Sequence, residues 1–179
     1  VFFLTHPFWL IHPVRWVWTA LAAALFLLGV AHAVETFGHM PPCELCLKQR
    51  DVYWAAVTAG AAILVAARLV PSWPVARLGC ALLALIFLTE LGVAAYHAGV
   101  EWKIWPGPAA CTGGPHVHVT LADLQAFARG QRFEVVRCDA PAFRFLGLSM
   151  AGWNALFALK LTVLSVWSGL AGLGEETAA

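Results

Sequence analysis

Four stretches of about twenty mostly apolar residues decide what this chain can fold into. They cover 16–34, 52–70, 78–100 and 145–173, and each is marked off by charge or proline: Arg15 and Glu35, Asp51 and Pro71, Arg77, and Arg144. A helix needs about 20 such residues to cross the ~30 Å hydrocarbon core of a bilayer. The pattern therefore predicts an all-α membrane protein, a four-helix transmembrane bundle that forms one domain over 1–179. Composition agrees, since 61% of the 179 residues are AVILMFWYC and only 12% are charged. Eleven Lys and Arg against ten Asp and Glu leave a net charge of +1, too little to attract a polyanion, so no nucleic-acid partner is expected and lipid is the expected solvent. The first run also has the form of a secretory signal, ending in Ala31-His32-Ala33, but three more spans follow and it is read as a retained helix.

Four spans fix a parity. Loops 35–51 and 101–144 share one face, and both termini share the other with the short turn at 71–76. Cys43 and Cys46 lie in the first of these loops, Cys111 and Cys138 in the second, and Cys80 sits inside the third run, where it reads as a small packed hydrophobe. Lys48, Arg50, Lys103, Arg129, Arg132, Arg137 and Arg144 outnumber the bases of the opposite face, which by the positive-inside rule alone would make the cysteine face cytoplasmic. That rule is weak for a long loop whose bases are mixed with Glu101, Asp123, Glu134 and Asp139. Paired loop thiols make chemical sense in an oxidising compartment, so the cysteine loops are placed on the oxidising side of the membrane and the termini in the cytoplasm.

Cys43-Glu44-Leu45-Cys46 is a C-x-x-C that follows Pro41-Pro42 and precedes an apolar run, so it is expected to open the second helix. There the helix dipole and free N–H groups favour a thiolate, the form that attacks disulfides. Cys43, Cys46 and Arg50 fall on one helical face, with the Arg50 charge about one turn from Cys46. Haem attachment needs His after the second cysteine, and Leu47 stands there. Zinc needs two more ligands, which Cys111, Cys138, His116 or His118 could supply, but none offers a second close pair, so no metal site is expected. A purely structural Cys111–Cys138 disulfide is a further reading, worth roughly 3–4 kcal/mol by chain entropy. Two cycling disulfides, in contrast, need a sink for two electrons per turn, and a membrane site without a flavin or metal motif points to a lipid-soluble quinone.

These residues resemble the disulfide bond formation protein B (DsbB) family of bacterial inner-membrane thiol oxidases. The likeness runs over nearly the whole chain and rests on the four apolar runs, on Pro42-Cys43-Glu44-Leu45-Cys46 with Arg50, and on Cys111 and Cys138. It extends to Tyr96-His97 through Trp102, Trp105 and Pro106, and to Phe145-Leu146-Gly147-Leu148 with Trp153. The resemblance implies a protein-dithiol:quinone oxidoreductase serving periplasmic protein folding. In it a Cys111–Cys138 disulfide accepts electrons from a reduced DsbA-like thioredoxin-fold protein, with Cys111 forming the mixed disulfide. Cys138 then exchanges with Cys43, and Cys46 engages a bound quinone, ubiquinone or menaquinone, beside Arg50. His97 is a further quinone-side candidate, although an interfacial histidine also serves as a polar anchor. Within enzymes the nearest rival is a vitamin K epoxide reductase-like protein, which places its loop cysteines before the C-x-x-C, the reverse of the order here. A metal-binding membrane protein that uses the same thiols as ligands is the rival from another class.

Other features complete the expectation. Thr120-Leu121-Ala122-Asp123, with Leu124 and Phe127 before Gly130, predicts a short amphipathic helix in the second periplasmic loop. Most of the nine tryptophans, among them Trp9, Trp16, Trp54, Trp73, Trp102, Trp105, Trp153 and Trp167, read as an interfacial belt. Glu90 and Lys160 each fall near the middle of a span, where an unpaired charge is costly, and are expected to face each other between the third and fourth helices; the alternative is that the spans are shifted, so that Lys160 snorkels and Glu90 lies protonated near the quinone-side mouth. The protein is expected to be a monomer.

Overall fold

A computed structural model describes residues 12–70, 73–108, 111, 121, 125, 128–129, 137–141 and 143–171. Four helices, α1 (Pro13–Gly38), α2 (Glu44–Leu69), α3 (Trp73–Glu101) and α4 (Met150–Ala171), make a membrane bundle, and each is long and apolar enough to cross a bilayer. The protein is a multi-pass membrane protein. Between α3 and α4 the strands β1 (Arg144–Phe145) and β2 (Leu148–Ser149) pair antiparallel, Arg144 with Ser149 and Phe145 with Leu148.

The helices outrun or fall short of the apolar runs for local reasons. Pro13 has the fixed φ suited to a first turn, so α1 starts there, and it stops where His39 turns left-handed at φ 52°. Cys43 caps α2, its Sγ accepting the N–H of Cys46 at 3.3 Å, so that helix begins well before residue 52 and Glu44–Asp51 are its polar opening turns. The link between α1 and α2 is thus reduced to residues 39–43, and the C-x-x-C is helical. At the other boundary Leu146 and Gly147 both have positive φ, 51° and 84°, which bends Phe145 to Leu148 into a two-residue hairpin. Glycine takes that conformation without a Cβ clash, and the fourth helix therefore opens at Met150 rather than 145.

Helix α3 is the spine of the bundle, packing most extensively on α4 and then on α2. In the half away from the C-x-x-C the core is apolar: Trp16, Val17, Ala20 and Ala24 of α1 meet Ile63, Cys80, Leu83, Phe87 and Leu161. Small residues let helix backbones approach where lipid offers no hydrophobic drive, and Ala20, Ala24 and Ala158 are fully buried here. Cys80 packs in this core, its Sγ 3.7 Å from the carbonyl of Pro13.

Several expectations change. Trp16 is not part of a belt, because it is buried and its indole N–H donates to Ser165 Oγ at 2.9 Å. Trp54, Trp102 and Trp167 are about half exposed, as a belt requires. Glu90 and Lys160 do not pair. Glu90 is fully buried and accepts from Asn154, whereas Lys160 is exposed six residues further along α4, roughly a third of a turn away around the helix. Of the predicted loop helix at 120–130 only residues 121, 125, 128 and 129 are described, the first three of them helical, and His116 and His118 lie outside the described residues.

Candidate active site

At the end of the bundle where α1 and α3 finish and α2 and α4 begin, a second buried cluster gathers Cys43, Cys111, Cys138, Leu45 and Val100, with Cys46 and Tyr96 packed against it. Four cysteines that are far apart in sequence are neighbours here. Cys111 and Cys138 form a disulfide, and Cys43 and Cys46 are thiols with sulfurs 2.8 Å apart. The loop cysteines are seated by backbone and charge: the Cys138 N–H donates to the Cys111 carbonyl, and the next residue, Asp139, is held by Lys103 at 2.6 Å and Arg137 at 2.7 Å. Those two cations hold the Asp139 carboxyl well below the usual carboxylate range.

Below this, the α3 exit is closed by aromatic stacking. Trp105 lies on Tyr96 with ring centroids 5.9 Å apart, donates to the Tyr96 carbonyl, and presses on Gly99, where a Cβ would come within 2.3 Å of the indole. Gly99 is thus required for close approach rather than for a turn.

The sulfurs of the C-x-x-C are not equivalent. Cys43 is buried while Cys46 is half-buried. The hydrogen bond with Cys46 and burial push the Cys43 thiol up, which favours the arrangement in which Cys43 is the protonated sulfur of the pair. His97, buried at the end of α3, brings Nε2 to 3.7 Å from Cys43 Sγ and 3.8 Å from Glu101 Oε1. On its other side Nδ1 faces Gln49 Nε2 at 3.2 Å.

Cys43 and Cys46 open on a cleft of about 340 Å3. One wall is apolar, from Leu27, Leu28, Val30, Ala31 and Val34 of α1, and the other carries Gln49, Arg50, Tyr53, His97 and Asn154. Arg50 is where the helical spacing put it, but it is not a free charge: it is hydrogen-bonded to Glu35 and donates to the Ala31 carbonyl at 3.1 Å, which ties α2 to α1 across the cleft. An apolar slot with polar groups along one side fits a flat redox ring on a lipid tail. Cys43, Cys46 and His97 also offer ligand atoms within 4.8 Å of one another, a donor set of the kind that soft divalent ions take.

Comparison with known proteins settles the lineage. The disulfide bond formation protein DsbB family matches residues 14–168. The chain belongs to the DsbB family. Among proteins it is similar to are the disulfide bond formation protein B of Dechloromonas aromatica (strain RCB), 30% identical over 158 residues that cover 86% of this chain and 91% of that protein. The protein of the same name in Nitrosococcus oceani is 27% identical over 161 residues, covering 86% and 90%. No solved structure matches the chain significantly. As a DsbB-family protein the chain is a disulfide-forming membrane oxidoreductase.

The structure brings Cys43, Cys46, Cys111, Cys138 and His97 together, with Arg50 on the same cleft. Sequence reasoning missed Gln49, Asn154 and Glu35. Asn154 carried a usable signal, since a lone amide in an apolar run needs a polar partner within the bundle. Gln49 carried little, because a glutamine in the polar opening turns of a helix is ordinary.

Proposed function

We propose that this protein is a single-domain thiol oxidase of the bacterial inner membrane that reoxidises a periplasmic DsbA-like thioredoxin-fold dithiol and passes the electrons through two cysteine pairs to quinone. The observation that carries the reading is the gathering of both pairs at one cluster beside the cleft. Cys111 receives the partner thiolate, which releases Cys138 as a thiolate. Cys138 attacks Cys43 in the oxidised C-x-x-C, forming a Cys138–Cys43 bond and freeing Cys46. The partner's second thiol then attacks the mixed disulfide, leaving the partner oxidised and releasing Cys111 as a thiolate, and Cys111 attacks Cys138 in the Cys138–Cys43 bond, restoring the loop disulfide and leaving Cys43 and Cys46 reduced. A loop disulfide beside two thiols, the pairing found here, supports the reading.

A bound quinone supplies the two-electron, two-proton sink that returns Cys43 and Cys46 to the disulfide. The chain's part is to hold and protect. The α1 wall excludes water, Gln49 and His97 offer hydrogen-bonding groups, and Arg50, anchored by Glu35, keeps a positive charge at the cleft beside Cys46. The cysteine end faces the periplasm, where reduced carrier is available.

Anaerobic mixing of oxidised protein with a reduced DsbA-like protein and a soluble quinone, followed by quinone absorbance, tests the reading. Stoichiometric quinone loss that Cys46→Ser abolishes is expected. Quinone left untouched by the wild type, together with zinc retained on the purified protein until its thiols are alkylated, overturns it in favour of a metal site.

A further inference from the structure

A chain of hydrogen bonds leads from the C-x-x-C to a carboxyl group deep in the membrane, and its donors and acceptors have one consistent direction. Glu90 is fully buried; its Oε1 accepts from Asn154 Nδ2 at 2.6 Å, and its Oε2 meets no partner among the described residues. Tyr53 O–H donates to Asn154 Oδ1 at 2.5 Å, which leaves Asn154 only its amide hydrogens for its other neighbours. One goes to Glu90 and the other to Gln49 Oε1 at 3.0 Å. With its oxygen taken, Gln49 offers Nε2–H to His97 Nδ1 at 3.2 Å. A ring nitrogen that accepts has no proton, so the His97 proton is on Nε2.

The far side of the ring fits the same tautomer. Nε2 lies 3.7 Å from Cys43 Sγ and 3.8 Å from Glu101 Oε1, and the backbone carbonyl of Cys138 also lies against the ring. A carbonyl, a carboxyl oxygen and a thiol sulfur can each take a proton offered by Nε2–H. A metal on Cys43, Cys46 and His97 would need the Nε2 lone pair, and this direction puts a proton there instead.

We infer that Glu90, Asn154 and Gln49 are positioning residues that hold His97 as its Nε2–H tautomer against Cys43, so that the Cys43 proton stays with Cys46 and Cys46 is the sulfur presented to the cleft. The inference deepens the proposed function and rests on it for the role of Cys46. Its main readout needs neither quinone nor a thioredoxin-fold partner.

The test is two-bond 15N–1H correlation on reduced, histidine-labelled protein, with His97 assigned by its loss in His97→Gln. The wild type is expected to show Nε2–H. Glu90→Leu, which removes the anchor, gives a mixture of tautomers, and Glu90→Gln, whose carbonyl still accepts, restores Nε2–H. Gln49→Glu accepts on both sides and therefore moves a proton to Nδ1. In parallel, alkylation of Cys46 slows about fivefold in Glu90→Leu, the equivalent of one hydrogen bond, and recovers in Glu90→Gln. Nδ1–H in the wild type, an unchanged tautomer in Gln49→Glu, or equal alkylation rates in wild type and Glu90→Leu overturns the inference. A wild type that shows Nε2–H yet reduces no quinone refutes the relay and leaves the positioning chain standing.

Discussion

The two halves of the bundle are built by different physics. Away from the C-x-x-C, Phe87, Leu83, Val17 and Cys80 pack with alanines, and the Trp16 bond to Ser165 is a cross-helix polar contact set in an apolar interior. At the cysteine end Gln49, Glu90, His97, Glu101 and Asn154 replace such packing with directed hydrogen bonds. A dry interior tolerates substitution as long as volume is kept, because dispersion has no direction. A polar interior holds one arrangement of protons, and losing a member that bonds several others strands them.

That contrast is breakable, and the largest effect is expected at Asn154. Asn154→Leu strands Glu90, the Tyr53 hydroxyl and the Gln49 carbonyl at once and should cost about 4 kcal/mol, whereas Glu90→Leu, which removes the buried acid itself, should be close to neutral. Unfolding in mixed detergent checks both; similar losses in the two variants would erase the distinction. Next is Phe87→Ala in the dry half, which should cost about 3 kcal/mol through the cavity while leaving the rate of Cys46 alkylation unchanged.

Asp139→Ala removes the clamp beside Cys138 and should raise the rate at which dithiothreitol reduces Cys111–Cys138 by about threefold, the scale of an exposed ion pair. The Asp139 carboxyl is depressed in the fold, so the clamp is complete above the unfolded value of ~3.9 and is lost only as pH falls through the lower folded value. The ratio of variant to wild-type rate should thus be flat between about pH 5 and 8. Smallest is Trp16→Phe, which gives up the bond to Ser165 for about 0.6 kcal/mol, read by the same unfolding assay.

The apolar runs made the four spans legible, because bilayer thickness sets helix length and little else competes. Their ends were less so. Glu44–Asp51 is polar enough to read as a loop, yet a helix continues on its own backbone bonds once Cys43 caps it. Phe145 and Leu146 are apolar enough to read as helix, yet Gly147 turns the chain. Within the site, cysteines and Arg50 are visible because their chemistry is rare in apolar sequence. The charges at Glu90 and Lys160 were visible as anomalies, but which partner each takes depends on helix rotation, and rotation placed Asn154 at Glu90 and turned Lys160 outward. Trp16 shows the same limit, since an interfacial and a buried tryptophan look alike until the facing Ser165 is known.

The claim at the centre of this account is that the loop pair and the helix pair exchange electrons through Cys138 and Cys43. Peptide mapping without reductant, on a Cys46→Ser, Cys111→Ser protein oxidised in the membrane, tests it directly. A Cys43–Cys138 disulfide formed in most molecules is the predicted result. Cys43 and Cys138 both remaining alkylatable after oxidation would contradict it.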